Sequence, residues 1–250
     1  MKSDIARTDP TISIMITQSG MTTSDDVAFL SALHLADSAL PTGRGVHSNG
    51  FESWLNANPE VDPAAISELV ETVILEAVAP LDGVFIAHAH GALSASALVE
   101  LDCRVTAFKL SASAREASES MGRRLVRVAP HLGATSPMLD CYFESISSGS
   151  APGNFAVVEG AVAAMLGVGR REAVVVAIRS AVVDLISAAV RLGRLPALGS
   201  QRMIADLAPA IARGATVAVD APLEQVRSHS GELELAALVH ARSDSRHFAT

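Results

Sequence analysis

The sequence predicts an all-α protein: a single-domain bundle of about ten helices, judged from helical periodicity, behind a flexible N-terminal tail. Alanine, the strongest intrinsic helix former, contributes 43 of the 250 residues. Aromatic residues, which β-sheets enrich, make up only 4% of the chain. Apolar residues also recur at helical spacing in most segments. We expect the tail to cover residues 1–23 and the helical domain residues 24–250.

Composition and charge exclude several classes of protein. Hydrophobic residues make up 49% of the chain and charged residues 18%, which excludes a wholly disordered protein. The net charge of −8 argues against a general nucleic-acid binder, which needs Lys and Arg to meet phosphates. The longest apolar stretch, 173–190, contains Arg179 and Asp184. Each would cost about 2.5–3.5 kcal/mol at a bilayer centre, so the stretch is interpreted as a buried helix and no membrane partner is expected.

The first helix is expected to begin near Ser24, a good N-cap, followed by Asp25 and Asp26 at the positive end of the helix dipole. It should end before Pro41. One face of this helix is expected to be buried, and it comprises Val27, Leu30, Leu33 and His34. The preceding tail shows no helical period, and a short strand at 12–16 is the alternative there.

A glycine-rich loop follows, over residues 41–50. It contains one proline and three glycines in ten residues, which predicts unusual backbone angles. Asn49 and Glu52 have the spacing of a capping box, and a short helix is expected from Phe51 to about Ala57.

The remaining helices are predicted from capping residues and periodicity. Asp62 and Pro63 have the pattern of an N-cap and first helical position, and they open a helix that should end near Pro80. Residues 144–154 are predicted to be a linker. Val174, Val175 and Val176 would suit a strand, but the long apolar run around them favours a helix. Further helices are expected at about 81–98, 101–128, 155–166, 171–192, 200–213, 221–228 and 232–241.

No catalytic constellation stands out in the sequence. Gly43-Arg44-Gly45 and Gly167-Val168-Gly169 lack the third glycine of a dinucleotide-binding loop, and Gly167 is interpreted as a helix C-cap. The G-x-S-x-G motif of many hydrolases does not occur. We therefore predict no catalytic residue and no cofactor.

Histidine, cysteine and arginine clusters favour structural roles. His88 and His90 lie two residues apart and cannot share a helix face, so one is expected to be exposed and the other packed. Cys103 and Cys141 match no metal spacing, so no metal site is expected and a reducing, cytoplasmic setting is favoured. Arg123, Arg124 and Arg127 are interpreted as a solvated basic face, with a docking patch for an acidic partner as the alternative.

The segment LSALHLADSALPTGRGVHSNGFESW (30–54) resembles the opening motif of the urease accessory protein UreF family. The matching loop positions include Pro41, Gly43, Ser48, Gly50 and Glu52. Later matches, in the same order as in the family, are Leu101-Asp102, 121–125, 187–192 with Arg191, Gln201, 233–240 and 246–248. The chain departs from the family pattern at Arg44, His47, 194–197 and Ala241.

The resemblance implies an all-α scaffold that dimerises, binds a UreD-like (also called UreH-like) accessory protein and a UreG-like GTPase, and helps to deliver nickel to apo-urease. It implies no enzyme activity. The C-terminal segment, residues 228–250, is expected to dock into the UreD-like partner through Leu238, His240, Arg246 and Phe248. The loop is expected to be an interaction surface, with residues Pro41, Gly43, Arg44, His47, Ser48, Gly50 and Glu52.

Three alternatives stay open at this point. The C-terminal segment could pack on the chain's own core instead of a partner. The chain could be a helical enzyme that uses Arg44, His47, Ser48 and Glu52, in which case a deep polar pocket should lie at the loop. It could also be a stand-alone helical regulator, an interpretation that the departures at 194–197 and Ala241 motivate.

Overall fold

The computed structural model describes residues 23–46 and 50–229, together with Gly231, Leu233, Leu235 and Ala236. Within these residues all regular structure is helical, which confirms the predicted fold class. The predicted tail lies outside the described residues except for Thr23, the first residue of α1. Of the helix predicted at 232–241, only Leu233, Leu235 and Ala236 are described, and all three are helical.

The helices follow one another with short connections. Short 3₁₀ turns lie at Arg44–Val46, Ala129–Leu132 and Leu223–Gln225, and a π-helical segment lies at Ile74–Gly83. The α-helices are α1 (Thr23–Ala36), α2 (Phe51–Ala57), α3 (Pro63–Val73), α4 (Val84–His90), α5 (Ala95–Phe108), α6 (Ala112–Val128), α7 (Pro137–Ser147), α8 (Phe155–Met165), α9 (Arg170–Arg191), α10 (Ala197–Asp206) and α11 (Ala208–Asp220).

Helix α8 is the centre of the core. It packs against α4, α6 and α9, and every residue from Ala156 to Ala163 is buried. Gly160 lets α8 approach α4 closely, since a Cβ at this position would overlap the carbonyl oxygen of Ile86. Small side chains therefore set the spacing of the central helices, as the alanine-rich composition indicates.

Helix α9 contains the long apolar stretch of the sequence. By length and composition alone it could cross a membrane, but 50% of its most apolar window is buried inside the protein. Its buried residues include Val174 and Ile178, and it packs against α1, α8 and α11. This confirms the expected buried helix, and it confirms helix over strand for the valine run.

Several local signals are confirmed. The Asp62 side chain accepts a hydrogen bond from the Ala65 backbone N–H at 2.8 Å, and Pro63 is the first residue of α3. Helix α2 spans the predicted residues, but the capping box predicted for it is wrong, because its N-cap is Gly50 and not Asn49. Gly167 follows α8 with a φ of 73°, the left-handed conformation typical of a helix C-terminus.

The predicted helix end near Pro80 is wrong. Pro80 lies inside a π-helical segment that joins α3 to α4. A proline lacks the N–H that would bond to the carbonyl four residues earlier, here Glu76. The Glu76 oxygen instead accepts a hydrogen bond from the His229 N–H at 2.8 Å, and the Pro80 oxygen accepts one from Arg227 at 3.3 Å. A distant segment thus satisfies the carbonyls that the proline disturbs.

The single helix predicted at 101–128 is wrong as well. It is broken at residues 109–111 into α5 and α6, and the Ser111 hydroxyl caps α6 by accepting from the Ala114 N–H at 3.0 Å. The predicted 81–98 helix ends instead at His90, and Ser94 caps α5. The 144–154 linker begins later than predicted, because α7 continues through Ser147. Serine N-caps are the signals that the periodicity obscured.

Two predictions near the C-terminus are also wrong. The helix predicted at 200–213 is two helices, α10 and α11, with Leu207 between them and Pro209 in the first turn of α11. The helix predicted at 221–228 is one 3₁₀ turn followed by extended chain. Pro209 and Pro222 favour these boundaries because proline fits the start of a helix but not its interior.

The expected buried face of α1 is wrong. Val27, Leu30 and Leu33 are 60%, 62% and 52% exposed, and Phe29 is 59% exposed. His34 is exposed as well. The buried residues of α1 are Ala32 and Leu35, and the helix packs against α9 and α8. Apolar residues surround this helix, so spacing alone does not identify the packed side. The result is an exposed apolar face.

Candidate functional site

The loop between α1 and α2 has the unusual backbone angles that its composition predicts. Gly43 and Gly50 have φ values of 76° and 84°, which L-residues with a side chain rarely adopt. Thr42 is buried, whereas Pro41 is exposed. The predicted loop residues His47 and Ser48, with Asn49, lie outside the described residues. Thr42 and Gly50, which lie before and after residues 47–49, are both buried against the rest of the protein.

Arg44 joins the loop to the centre of the core. Its Nη2 donates to the Glu159 Oε1 of α8 at 2.8 Å, and both side chains are largely buried. The Arg44 guanidinium also lies 5.0 Å from the centroid of the Phe155 ring, a cation–π distance. Burial raises the pKa of Glu159, while the nearby Arg44 opposes that rise. The loop position therefore depends on a charge pair in a low-dielectric environment.

A second carboxylate and a second arginine lie on α9 beside this pair. Burial raises the pKa of Asp184 to about 6, although Arg44 and Arg191 both act to lower it. The Arg191 Nη2 donates to the Gly45 carbonyl oxygen at 2.8 Å. Arg191 thus binds the loop, while Asp184 receives no hydrogen bond or ion pair from the described residues.

We expect Asp184→Asn to change the pH dependence of stability. The folded pKa lies above the unfolded value, so folding binds a proton between about pH 4 and pH 6, and this contribution is lost as the pH rises through 6. As the pH rises from about 4 to about 7, the free energy of unfolding of the variant should therefore increase by on the order of 2 kcal/mol relative to that of wild type. Urea unfolding at several pH values measures this difference. A difference that stays constant with pH would contradict the prediction.

The basic run on α6 is exposed, as expected of a solvated face. Arg123 bonds Glu119 at 3.3 Å and the Pro152 oxygen at 3.4 Å. Arg124 has a further role, because its guanidinium lies against Gly43, where a Cβ would overlap it. The glycine thus permits close contact between the loop and α6.

A cavity of about 460 Å³ lies behind the loop. Its walls are mostly apolar side chains from the π-helical segment, α6, α8 and α9. The charged residues in its lining, within the part of the chain that the structure describes, are Arg44, Asp82, Lys109, Glu159 and Asp184. Lys109 Nζ and Asp82 Oδ1 form a pair at 2.9 Å.

The enzyme hypothesis required a deep polar pocket at the loop, and the cavity has a different character. Arg44 is engaged with Glu159, and Glu52 is 1% exposed on α2. The rings of Phe51 and Trp54 on the same helix are stacked, with their centroids 6.0 Å apart. His47 and Ser48, the other two residues of that hypothesis, are outside the described residues.

The predicted site residues divide into three groups. The loop residues Pro41, Gly43, Arg44 and Gly50 lie together, and Arg191 joins them. Gln201 is exposed on α10 and forms no contact with the loop that the structure records. The predicted partner-binding residues Leu238, His240, Arg246 and Phe248 lie outside the described residues.

Two departures from the family pattern are arginines with internal contacts. Arg44 pairs with Glu159, as described above. Arg194 donates to the Pro59 oxygen at 2.7 Å and the Leu55 oxygen at 3.2 Å, so it ties the end of α9 to the end of α2. The fold thus accommodates both substitutions through bonds within the chain.

His88 and His90 anchor loops instead of forming a metal site. The His88 Nε2 lies 3.0 Å from the Ala221 oxygen, and the His90 Nε2 lies 2.7 Å from the Val168 oxygen. Both are half-buried, so the expectation of one exposed and one packed histidine is wrong. Among the described residues, no three His, Cys, Asp or Glu side chains are grouped closely enough to hold a metal ion.

Sequence reasoning missed Glu159, Asp184 and Asp82 as parts of this site. The available signal was an acidic residue within an apolar helical run, since such a residue needs a partner when it is buried. In the sequence, Asp184 argues only against a membrane span.

Comparison with known proteins identifies the family. The UreF family model matches residues 61–208. Urease accessory protein UreF of Yersinia pseudotuberculosis serotype IB (strain PB1/+) is 28% identical over 220 residues, covering 87% of this chain and 96% of the relative. The proteins of the same name from Yersinia pestis (strain Pestoides F) and Yersinia enterocolitica serotype O:8 / biotype 1B match with the same identity and coverage. These relatives are named as accessory proteins and not as enzymes. Because the family model covers more than half of its length, the chain belongs to the UreF family of urease accessory proteins.

Proposed function

We propose that this chain is a scaffold in urease maturation. With a UreD/UreH-like protein and a UreG-like GTPase, it assists nickel delivery into apo-urease, as a likeness to the family implies. The observation that carries the proposal is the match to urease accessory proteins over 87% of this chain and 96% of theirs. As a scaffold the chain contributes binding surfaces and no reaction of its own.

Exposed apolar surface supports an association role. Val27, Phe29, Leu30 and Leu33 make α1 apolar on its outer side, and each is more than half exposed. Contiguous apolar surface of this kind is typical of protein–protein contacts. The proposal includes a homodimer and a cytoplasmic setting, which the exposed, unpaired thiols of Cys103 and Cys141 suit.

Coupling to a GTPase sets a thermodynamic requirement. A partner's nucleotide state is communicated only if the chain binds the two states with different affinity. The test is therefore a pull-down from cells that express the urease operon, with and without GTP and nickel, followed by mass spectrometry. Normal nickel loading of urease in cells that lack this chain would overturn the proposal.

The C-terminal segment is the proposed contact with the UreD-like partner. We expect Leu238→Ala and Phe248→Ala each to reduce retention of that partner at least about tenfold. A buried apolar anchor contributes about 1.5–3 kcal/mol to binding. Deletion of residues 237–250 should abolish retention while leaving Leu233 packed in the core. Co-purification with the UreD-like protein measures the effect.

Leu93→Ala is the matched control for these variants. Leu93 is 95% exposed in the turn between α4 and α5, so its truncation removes a similar side chain without a proposed contact. It should retain the partner as wild type does. Equal retention by the Phe248, Leu238 and Leu93 variants would contradict a docking role for the segment.

A further inference from the structure

The cavity behind the loop has the size and composition of a ligand site. Its volume of about 460 Å³ falls within the range of roughly 300–1,000 Å³ that is typical of small-molecule pockets. Most of its wall is aliphatic or aromatic, with residues such as Val78, Leu81, Ile86 and Phe108. A few charged groups converge on it from the loop, the π-helical segment, the end of α5, α8 and α9.

One carboxylate of the lining differs from the others in its partners. Among the residues that the structure describes, two cations and three carboxylates line the cavity. Arg44 pairs with Glu159 at 2.8 Å, and Lys109 pairs with Asp82 at 2.9 Å. Each of these two cations thus has a carboxylate partner, whereas the third carboxylate, Asp184, has no bonded partner among the described residues.

Asp184 is the group whose environment favours a cationic ligand. Burial disfavours the ionised form of Asp184, and Arg44 and Arg191 stabilise that form through space without bonding to it. The negative charge of Asp184 also contributes to the raised pKa of Glu159, so the two carboxylates interact electrostatically. A cation placed beside Asp184 would give this carboxylate a bonded partner in addition to the distant arginines, and a charge-assisted hydrogen bond in a desolvated site is among the stronger polar contacts.

We propose that this cavity binds a small monocation with an apolar body, of the alkylammonium class. The ammonium group binds the Asp184 carboxylate, and the alkyl chain packs against the aliphatic wall. Ser228 and Leu233 also line the cavity, so occupancy stabilises the segment that follows α11.

The test uses the full chain and hexylammonium as the probe. Isothermal titration and thermal melting should show saturable binding to wild type. Asp184→Asn should weaken hexylammonium binding at least about tenfold, since a hydrogen bond to a charged group contributes about 1.5–3 kcal/mol. Asp140→Asn, which changes an exposed carboxylate on α7, should bind as wild type does.

Two further comparisons separate the head group from the apolar body. Ammonium alone and neutral hexanol should each bind at least about tenfold more weakly than hexylammonium, because each lacks one half of the recognition. Ala181→Met, which fills the cavity next to Asp184 on α9, should abolish binding without loss of the folded state. Circular dichroism of each variant confirms folding.

The outcomes decide the proposal either way. Loss of binding in the Asp184 and Ala181 variants, with binding retained in the Asp140 variant, would support it. Equal binding by wild type and Asp184→Asn would overturn it, as would equal binding of hexanol or no saturable binding of hexylammonium. None of these results depends on urease, so the scaffold role stands or falls separately.

Discussion

Asp102→Ala is expected to lower the free energy of unfolding by about 4 kcal/mol, the largest effect of any single truncation on α5. Asp102 is fully buried, and its two carboxylate oxygens accept four hydrogen bonds. The Tyr142 hydroxyl donates at 2.9 Å, the Gly153 N–H at 2.7 Å, and the Asn154 backbone and side chain at 2.7 and 2.9 Å. Truncation leaves these buried donors without an acceptor.

The position of these donors explains why the effect is large. Gly153 and Asn154 form the connection that leads into α8, the central helix of the core. Gly122 of α6 packs against the same connection so closely that a Cβ would overlap the Gly153 oxygen. Asp102 therefore fixes the entry of α8 between α5 and α6, and its loss releases more than one contact.

Urea unfolding followed by circular dichroism measures this effect, and two variants calibrate it. Tyr142→Phe removes one of the four donors and should cost about 1–2 kcal/mol. Glu100→Ala, on the exposed side of the same helix, should change stability by less than about 0.5 kcal/mol. If Asp102→Ala unfolds within about 1 kcal/mol of wild type, the carboxylate does not organise the connection.

Local chemistry made some boundaries predictable and others not. Asp62 and Pro63 carry a complete helix start within adjacent residues, so the start of α3 could be predicted. Pro80 carries the same kind of signal, yet the helix continues through it, because N–H groups from 227 and 229 bond to the disturbed turn. When a distant part of the chain bonds to a turn that a proline disturbs, the local sequence alone cannot predict whether the helix ends there.

The candidate site shows the same limit. The loop could be found because its glycines and proline are adjacent in sequence. Glu159, which pairs with Arg44 of the loop, lies 115 residues away in the sequence. Nothing in the local sequence around either residue indicates this pairing. On α1 the apolar residues surround the helix, so the exposed side could be assigned only after α9 was in place. Pairing and facing depend on tertiary packing, which spacing does not encode.

Arg44→Met is the second large effect, and we expect it to lower the free energy of unfolding by about 3–5 kcal/mol near neutral pH. Methionine retains much of the apolar stem but leaves Glu159 as a buried charge without its partner at 2.8 Å. The pKa of Glu159, already raised by burial, should rise further because Arg44 is the group that lowers it. The loss should therefore be smaller at acidic pH, where Glu159 is neutral.

A double variant distinguishes loss of the pair from loss of the arginine itself. Arg44→Met combined with Glu159→Gln removes both charges, so stability should return to within about 1–2 kcal/mol of wild type. Arg202→Met is the matched control, since Arg202 and Asp206 are exposed and lie 3.7 Å apart, and it should cost less than about 1 kcal/mol. Urea unfolding of all four proteins gives the comparison. If the double variant is as unstable as Arg44→Met alone, the loop is held by the arginine's packing on Phe155 and not by its charge.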